Sequence, residues 1–574
     1  MKKLLEQLKP YRKESILAPL FKLLEAGLEL LIPLIVAAVI DRGVAQGQTG
    51  YIVRMGLLMA GLGLAGLCAS VTAQYFAAKA AVCSVSQLRR ALFAHLQCLS
   101  YAQLDTLGVP TMLTRLTSDM NQVQSGVNLT LRLLLRSPFV VFGAMLMAFT
   151  IDTHAALVFV CVIPLLGVVV TAIMLITIPL YRRVQSRLDR VLSKTRENLT
   201  GVRVLRAFGA EDSEKAAFDA RTQELMQGQT HVGRISALLN PLTYVIVNLG
   251  IVALLRTGAL QVDSGTLSQG DVIALYNYMS QILVELIKLA NLILNITKSV
   301  ACANRIQSVM ELPAADTGAA SLPALDTAAP AVQFENVALR YAGAGEDALH
   351  GVSFTALRGQ TIGIIGGTGS GKTSLVNLIP RFYDASQGRV SVFGADVHDW
   401  PLDALRRQIG VVPQKALLFR GTILENLLWG DESAPLDAVA DALVTAQAME
   451  IVESRENGLE AEIEQGGRNL SGGQRQRLSI ARALVRKPKI LILDDSASAL
   501  DYATDAALRR ALRELPERPT VFIVSQRPAA IRHADCILVL EDGVIVGQGT
   551  HAQLLESCPV YREIHDSQYQ KEGA

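Results

Sequence analysis

Charge is scarce in this chain: Asp, Glu, Lys and Arg supply 18% of its 574 residues, against 50% for the hydrophobic types. A mean hydropathy of +0.32 is high for a soluble polypeptide, so the apolar excess is expected to face lipid. Neither sign of charge dominates. The formal net charge is +2, so the totals leave no footprint for a nucleic acid or an acidic partner. Paired cysteines are missing too. Cys68, Cys83, Cys98, Cys161, Cys302, Cys536 and Cys558 form no CxxC and have no His-rich neighbour, which argues against zinc sites and a disulfide framework and leaves reduced thiols. The basic start, MKKLLEQLKPYRKE, has no convincing cleavage site after it, and the apolar run continues to Ile40 as in an uncleaved first span.

What is abundant is long apolar sequence. Residues 16–40, 55–81, 129–150, 155–178, 237–255 and 272–296 each suffice to cross a bilayer, for which about 20 residues are needed. An even number of spans puts both termini on one side. Lys2, Lys3, Lys9, Arg12 and Lys13 before the first span, and Arg182, Arg183, Arg187 and Arg190 after the fourth, make that side the cytoplasm. About fifty residues of charged, helix-patterned sequence separate spans two and three, and again four and five, far more than a median loop, so the spans are expected to continue into the cytoplasm.

In the sixth span Asn277, Gln281, Glu285, Lys288, Asn291 and Asn295 recur every three or four residues, one stripe of a helix. Charge buried in lipid is costly, so Glu285 and Lys288 are expected to face a partner helix or a water-filled cavity and to neutralise each other across one turn. Glu25 and Glu29 share a face of the first span. Glu25, Glu29, Glu285, Lys288 and Asn291 are therefore candidates to line a substrate pathway, with plain interhelical hydrogen bonding as the alternative.

Past Glu311 the composition turns to Pro, Ala, Gly and Thr, and residues 313–330 read as a tether between a membrane part, 1–312, and a second part, 331–574. In the second part a strand pattern at 361–365 runs into GGTGSGKT and then into helix-patterned SLVNLI, the context a phosphate-binding loop requires. Gly366, Gly367, Thr368, Gly369, Ser370 and Gly371 would turn amides toward phosphates. Lys372 would reach the β- and γ-phosphates, Thr373 would offer its hydroxyl to Mg²⁺, and Ser374 closes the cofactor-binding run. Residues 490–493 form a second buried-strand pattern that delivers Asp494 and Asp495 to a sheet's carboxyl end, where two acids point to Mg²⁺ and a nucleotide. Ser471, Gly472, Gly473 and Gln474 open a basic helix whose free amides and positive dipole end would take a phosphate of the same or another nucleotide.

The run LSGGQ (470–474), then ILILDD (490–495), then SALD (498–501), with the phosphate loop ahead of them, resembles the nucleotide-binding domain of ABC transporters, and with the six spans the resemblance covers nearly the whole chain. It implies a multidomain fold, a six-helix α-helical transmembrane domain followed by an α/β P-loop ATPase domain. It further implies an exporter half-transporter in a bacterial inner membrane that uses ATP and Mg²⁺ to move drug-like, lipid or peptide cargo. By the same resemblance Tyr341 stacks on adenine, Gln414 senses Mg²⁺ and water, and Asp494 holds the metal through water. Residues 464–467 then occupy a cross-talk segment, and coupling helices near 108–116 and 210–220 press on the ATPase domains.

Two positions depart from the family pattern. Asp495 stands where a glutamate ordinarily orients the attacking water; one methylene less withdraws the carboxylate by on the order of 1 Å, a misplacement that can cost about 10²-fold. Gln526 stands where a histidine is usual; it can hydrogen-bond a γ-phosphate but cannot become cationic, and His533 lies too far along to replace it. The cleft is thus expected to bind ATP well and hydrolyse it poorly. A heterodimer follows, in which the intact LSGGQ completes a competent site on a second half-transporter. Lipid flipping, uptake of a metal chelate and a non-transporting ATP-gated regulator remain open alternatives.

Overall fold

In this computed structural model the chain is described at residue 6 and at residues 8–319, 321–323, 328–496 and 499–569. Lys2, Lys3 and Ser498 of the readings above lie outside them. Two compact units form, Met1–Gln97 with Pro110–Leu312, and Cys98–Val109 with Pro313–Ala574.

The first unit is helical, and among the described residues it contains 6 helices long and apolar enough to cross a membrane: Lys9–Val44, Thr49–Gln97, Val109–Ile151, Thr153–Thr200, Glu211–Asp263 and Gln269–Met310. Each apolar run of the sequence lies in one of them. The charged segments prolong the spans rather than forming loops. Thr153–Thr200 has 48 residues, a rise of ~72 Å against a hydrocarbon core of ~30 Å. Small residues let these helices approach: Ala69, Ala73, Ala77, Ala80 and Ala81 are buried along Thr49–Gln97, a stripe suited to packing where lipid supplies no hydrophobic drive between helices. The bundle's core gathers Phe159, Leu166, Tyr278 and Met279, and the Tyr278 hydroxyl donates to the Leu30 carbonyl at 2.6 Å.

The windows assigned to coupling helices fall on the starts of Val109–Ile151 and Glu211–Asp263, and a short helix precedes each, Tyr101–Leu107 and Val202–Ala207. A glycine of positive φ, Gly108 at 70° and Gly209 at 61°, separates each short helix from the longer one that follows it. After the second, Ala210 N donates to Leu205 O at 3.0 Å and Gly209 N to Arg206 O at 3.4 Å, the paired bonds of a Schellman ending.

The second unit is α/β. Its strands are β1 (Val332–Leu339), β2 (Leu349–Ala356), β3 (Thr361–Gly366), β4 (Gln387–Val392), β5 (Ala395–Asp396), β6 (Ile409–Val412), β7 (Gly421–Thr422), β8 (Glu462–Ile463), β9 (Ile490–Asp494), β10 (Thr520–Val524), β11 (Cys536–Glu541) and β12 (Val544–Gly549). A six-stranded sheet runs β12-β11-β3-β10-β9-β6, and β2-β1-β4-β5 form an antiparallel sheet of four. In the larger sheet only β12 pairs antiparallel. Both faces of its central strands are covered, which is why they read as unbroken apolar runs. Ile490, Ile492, Phe522 and Val524 enter one hydrophobic cluster, while Leu491, Leu493, Val521 and Ile523 enter the other.

The start of the tether is pinned to this unit. Arg381 Nη2 donates to Asp316 Oδ2 at 2.6 Å, Leu402 N to Thr317 O at 3.0 Å, and Gln103 Nε2 to Pro313 O at 3.1 Å. Composition marked these residues as a free linker because it carries no trace of partners 65 or more positions away.

Candidate active site

Strands β3, β9 and β10 run parallel and in register, so their carboxyl ends open side by side. That edge bears a cleft of about 340 Å³, lined by Tyr341, Thr368, Gly369, Gly371, Lys372, Thr373, Ser374, Gln414, Asp494, Asp495 and Gln526. Gly366 and Gly367 begin the loop, and Ser370 is buried beneath it at 5% exposure. Glycine is required at 371: φ is 93°, and a Cβ there would lie 2.7 Å from the Ala348 carbonyl oxygen.

Lys372 Nζ donates to Gly366 O at 2.9 Å and to Ser370 Oγ at 3.3 Å, and also to Gly367 O. All three acceptors are neutral. Burial pushes this ammonium below its usual range, with the charges of Asp495 and Asp494 pulling the other way. Thr373 Oγ1 donates to both oxygens of Asp494, at 3.1 and 3.0 Å. Burial pushes the Asp494 carboxyl above its usual range; Thr373 opposes this and Asp495 adds to it. A buried cation and a buried carboxylate, each penalised for its charge, stand beside a hydroxyl. Hard oxygen donors of this kind fit Mg²⁺, and the amides and ammonium fit a polyphosphate.

Asp495 leaves β9 with φ 46°, a left-handed conformation that Asp tolerates better than most side chains. Its Oδ2 accepts from Gln414 Nε2 at 3.4 Å. Gln526 is exposed at the end of β10, and its carbonyl accepts from Gln568 Nε2 of the C-terminal helix Pro559–Tyr569 at 2.9 Å. His533 lines a different cleft with Arg509 and Arg513. Tyr341 donates its hydroxyl to Ser374 Oγ at 2.9 Å.

Ser471, Gly472, Gly473 and Gln474 do not line this cleft. They start the helix Gly472–Val485, with Ser471 and Gly472 exposed. Ser471 Oγ accepts from Gln474 N at 3.2 Å, and Gln474 Oε1 accepts from Ser471 N at 2.9 Å, a capping box that holds the turn rigid. Residues 464–467 are fixed nearby, with Asn469 Oδ1 accepting from Glu464 N at 3.1 Å.

In the helical unit Glu285 is 3% exposed. Its carboxylate accepts from Arg136 Nη1 at 2.6 Å, Lys288 Nζ at 2.8 Å and Ser137 Oγ at 2.9 Å. Arg136 also donates to Glu29 Oε2 at 2.7 Å. Glu25 is paired with Lys22 at 2.5 Å, and Asn291 is exposed, its carbonyl accepting from Asn295 Nδ2 at 2.9 Å. Sequence reading missed Arg136. The available signal was a cation directly before the apolar run SPFVVFG, inside a span too apolar to carry one without a partner.

Comparison with known proteins places this arrangement. Residues 15–286 match the family model of the ABC transporter transmembrane region and residues 349–498 that of the ABC transporter. The chain is 36% identical over 574 residues, 100% of each chain, to the uncharacterized ABC transporter ATP-binding protein YfiB of Bacillus subtilis (strain 168). It belongs to the ABC transporters.

It is also 30% identical over 533 residues, 92% of this chain and 91% of the other, to the ATP-dependent lipid A-core flippase of Vibrio vulnificus (strain YJ016). The solved structure of a bacterial Atm1-family ABC exporter with ATP bound superposes with a TM-score of 0.81, covering 98% of this chain and 99% of that one at 24% identity, which shows a shared fold. This ABC transporter is thus a multi-pass membrane protein that couples ATP hydrolysis to transport.

Proposed function

We propose that the chain is one half of a heterodimeric ABC exporter in a bacterial inner membrane, with its termini in the cytoplasm, and that the nucleotide held in its own cleft is seldom cleaved. The observation that carries this reading is the composition of one wall. Lys372, Thr373 and Asp494 are grouped as a nucleotide and its metal require, while Asp495 and Gln526 occupy the positions from which water would be activated and the γ-phosphate stabilised. Bound Mg²⁺ would supply charge neutralisation at the phosphates, with Thr373, Asp494 and Gln414 as its protein partners. Tyr341 offers a ring face for the adenine. The helix start at Ser471–Gln474, exposed and away from this cleft, suits the γ-phosphate of a nucleotide held by a partner chain.

The second short helix is followed by Phe208, 81% exposed, and carries the exposed Val202 and Val204. Such an apolar tip suits a docking groove on a partner's ATPase domain. The printed function of the Vibrio relative makes lipid a reasonable cargo alongside drug-like molecules, and Asn291, exposed, with Glu29 and Lys288, about half exposed, are the pathway candidates able to meet it.

The test is ATP-dependent accumulation of a lipophilic dye in inside-out vesicles holding this chain and a partner half-transporter. Asp495→Asn should leave transport nearly unchanged, and removal of the partner's catalytic carboxylate should stop it. The opposite pattern refutes the reading; no accumulation of dye or labelled lipid refutes export.

A further inference from the structure

One side chain of the ATPase unit touches both the wall of the cleft and the short helix Tyr101–Leu107, which belongs to the same compact unit. Tyr383 meets Tyr341 edge to face, with ring centroids 5.0 Å apart and planes at 85°. Its hydroxyl donates to Asp105 Oδ2 at 2.6 Å. The helix is seated around that bond. Tyr101 stacks on Phe382 with centroids 4.5 Å apart, the Arg406 guanidinium lies 5.4 Å from the centre of the Phe382 ring, and Gln103, part of the helix's capping box, holds Pro313 O at 3.1 Å.

We propose that Tyr383 is a positioning residue through which the helix Tyr101–Leu107 senses adenine, rather than phosphate, in this chain's own cleft. The path is short and made of rigid parts. A purine stacked on Tyr341 restrains that ring, which is tied at its other end to Ser374. An edge-to-face aromatic contact is sensitive to orientation, so the restraint reaches Tyr383. Tyr383 has few rotamers to absorb it, and its hydroxyl passes it to the one carboxylate of the helix. Lys372, Thr373 and Asp494 lie off this path, which makes the signal independent of hydrolysis. A cleft that retains its nucleotide would thereby hold its own helix in a fixed setting throughout the partner's turnover. The inference rests on the reading of Tyr341 as the adenine platform.

Backbone hydrogen exchange of residues 101–107 tests it, on the full chain in lipid nanodiscs with Mg²⁺ and either ATP or inorganic triphosphate. ATP should slow exchange by about fivefold, the worth of roughly one hydrogen bond, and triphosphate should not. Tyr383→Phe keeps the ring and removes the donor; Asp105→Ala removes the acceptor. Each should abolish the slowing while ATP affinity stays within about twofold, and the double variant should add nothing, since both break one bond. Wild-type slowing in Tyr383→Phe, or equal slowing by triphosphate, overturns the proposal. Tyr341→Ala separates the two levels. Undiminished ATP affinity there sinks the platform reading itself, whereas a loss of affinity there combined with wild-type behaviour of Tyr383→Phe sinks only the role of Tyr383.

Discussion

The phosphate cleft and the charge cluster of the helical bundle both place ionised groups out of water, and they satisfy them in opposite ways. Lys372 donates to two carbonyls and a hydroxyl, so a buried cation is held by neutral oxygens and keeps its charge for something else. Glu285 accepts from two cations and a hydroxyl, and one of those cations is shared with Glu29. Its charge is already neutralised inside the bundle. A buried charge held by neutral partners is poised for a ligand; one met by opposite charge is part of a scaffold. Both sets read as functional in the sequence, and the partners sort them.

The sharpest way to break this contrast is to remove one partner from the saturated set. Glu285→Ala leaves Arg136 at 7% exposure with a single carboxylate, and should destabilise the protein by about 3–5 kcal/mol, read as a large fall in the thermal midpoint in lipid nanodiscs. An unchanged midpoint would return Glu285 to the pathway. Lys372→Ala should do the reverse, costing about 2–3 kcal/mol of ATP affinity, or roughly 30- to 150-fold, while the nucleotide-free midpoint moves little.

The smallest effect is on pH dependence. On the proposed reading metal binding needs ionised Asp494, whose raised pKa brings the acidic limb of Mg²⁺–ATP affinity closer to neutrality than an ordinary aspartate would. On the same reading phosphate binding needs charged Lys372, whose lowered pKa starts the alkaline limb below that of an ordinary lysine. Calorimetric titration across pH should show both limbs, and Asp494→Asn should remove the acidic one.

Much of the cleft was legible because its chemistry is local. The loop 366–373 and the carboxylates 494–495 lie on contiguous runs whose strand–turn context is visible in the sequence, and the parallel sheet needed only to bring their ends together. The six spans were legible for the same reason. What pairs at long range was not. Arg136 and Glu285 are 149 residues apart, Tyr383 and Asp105 are 278 apart, and Gln526 meets the C-terminal helix across 42; no periodicity encodes such partners. A glycine reads as a break without saying which side of it is helical, and at 108 and 209 both sides are.

Phosphate release by the purified full chain, reconstituted with copies of itself alone, decides whether it grips its own ATP and rarely cleaves it. Turnover should be slow at saturating ATP and should rise by about 10²-fold when Asp495→Glu and Gln526→His restore reach and charge. Rapid release by the unaltered chain, left unchanged by the two substitutions, would contradict it.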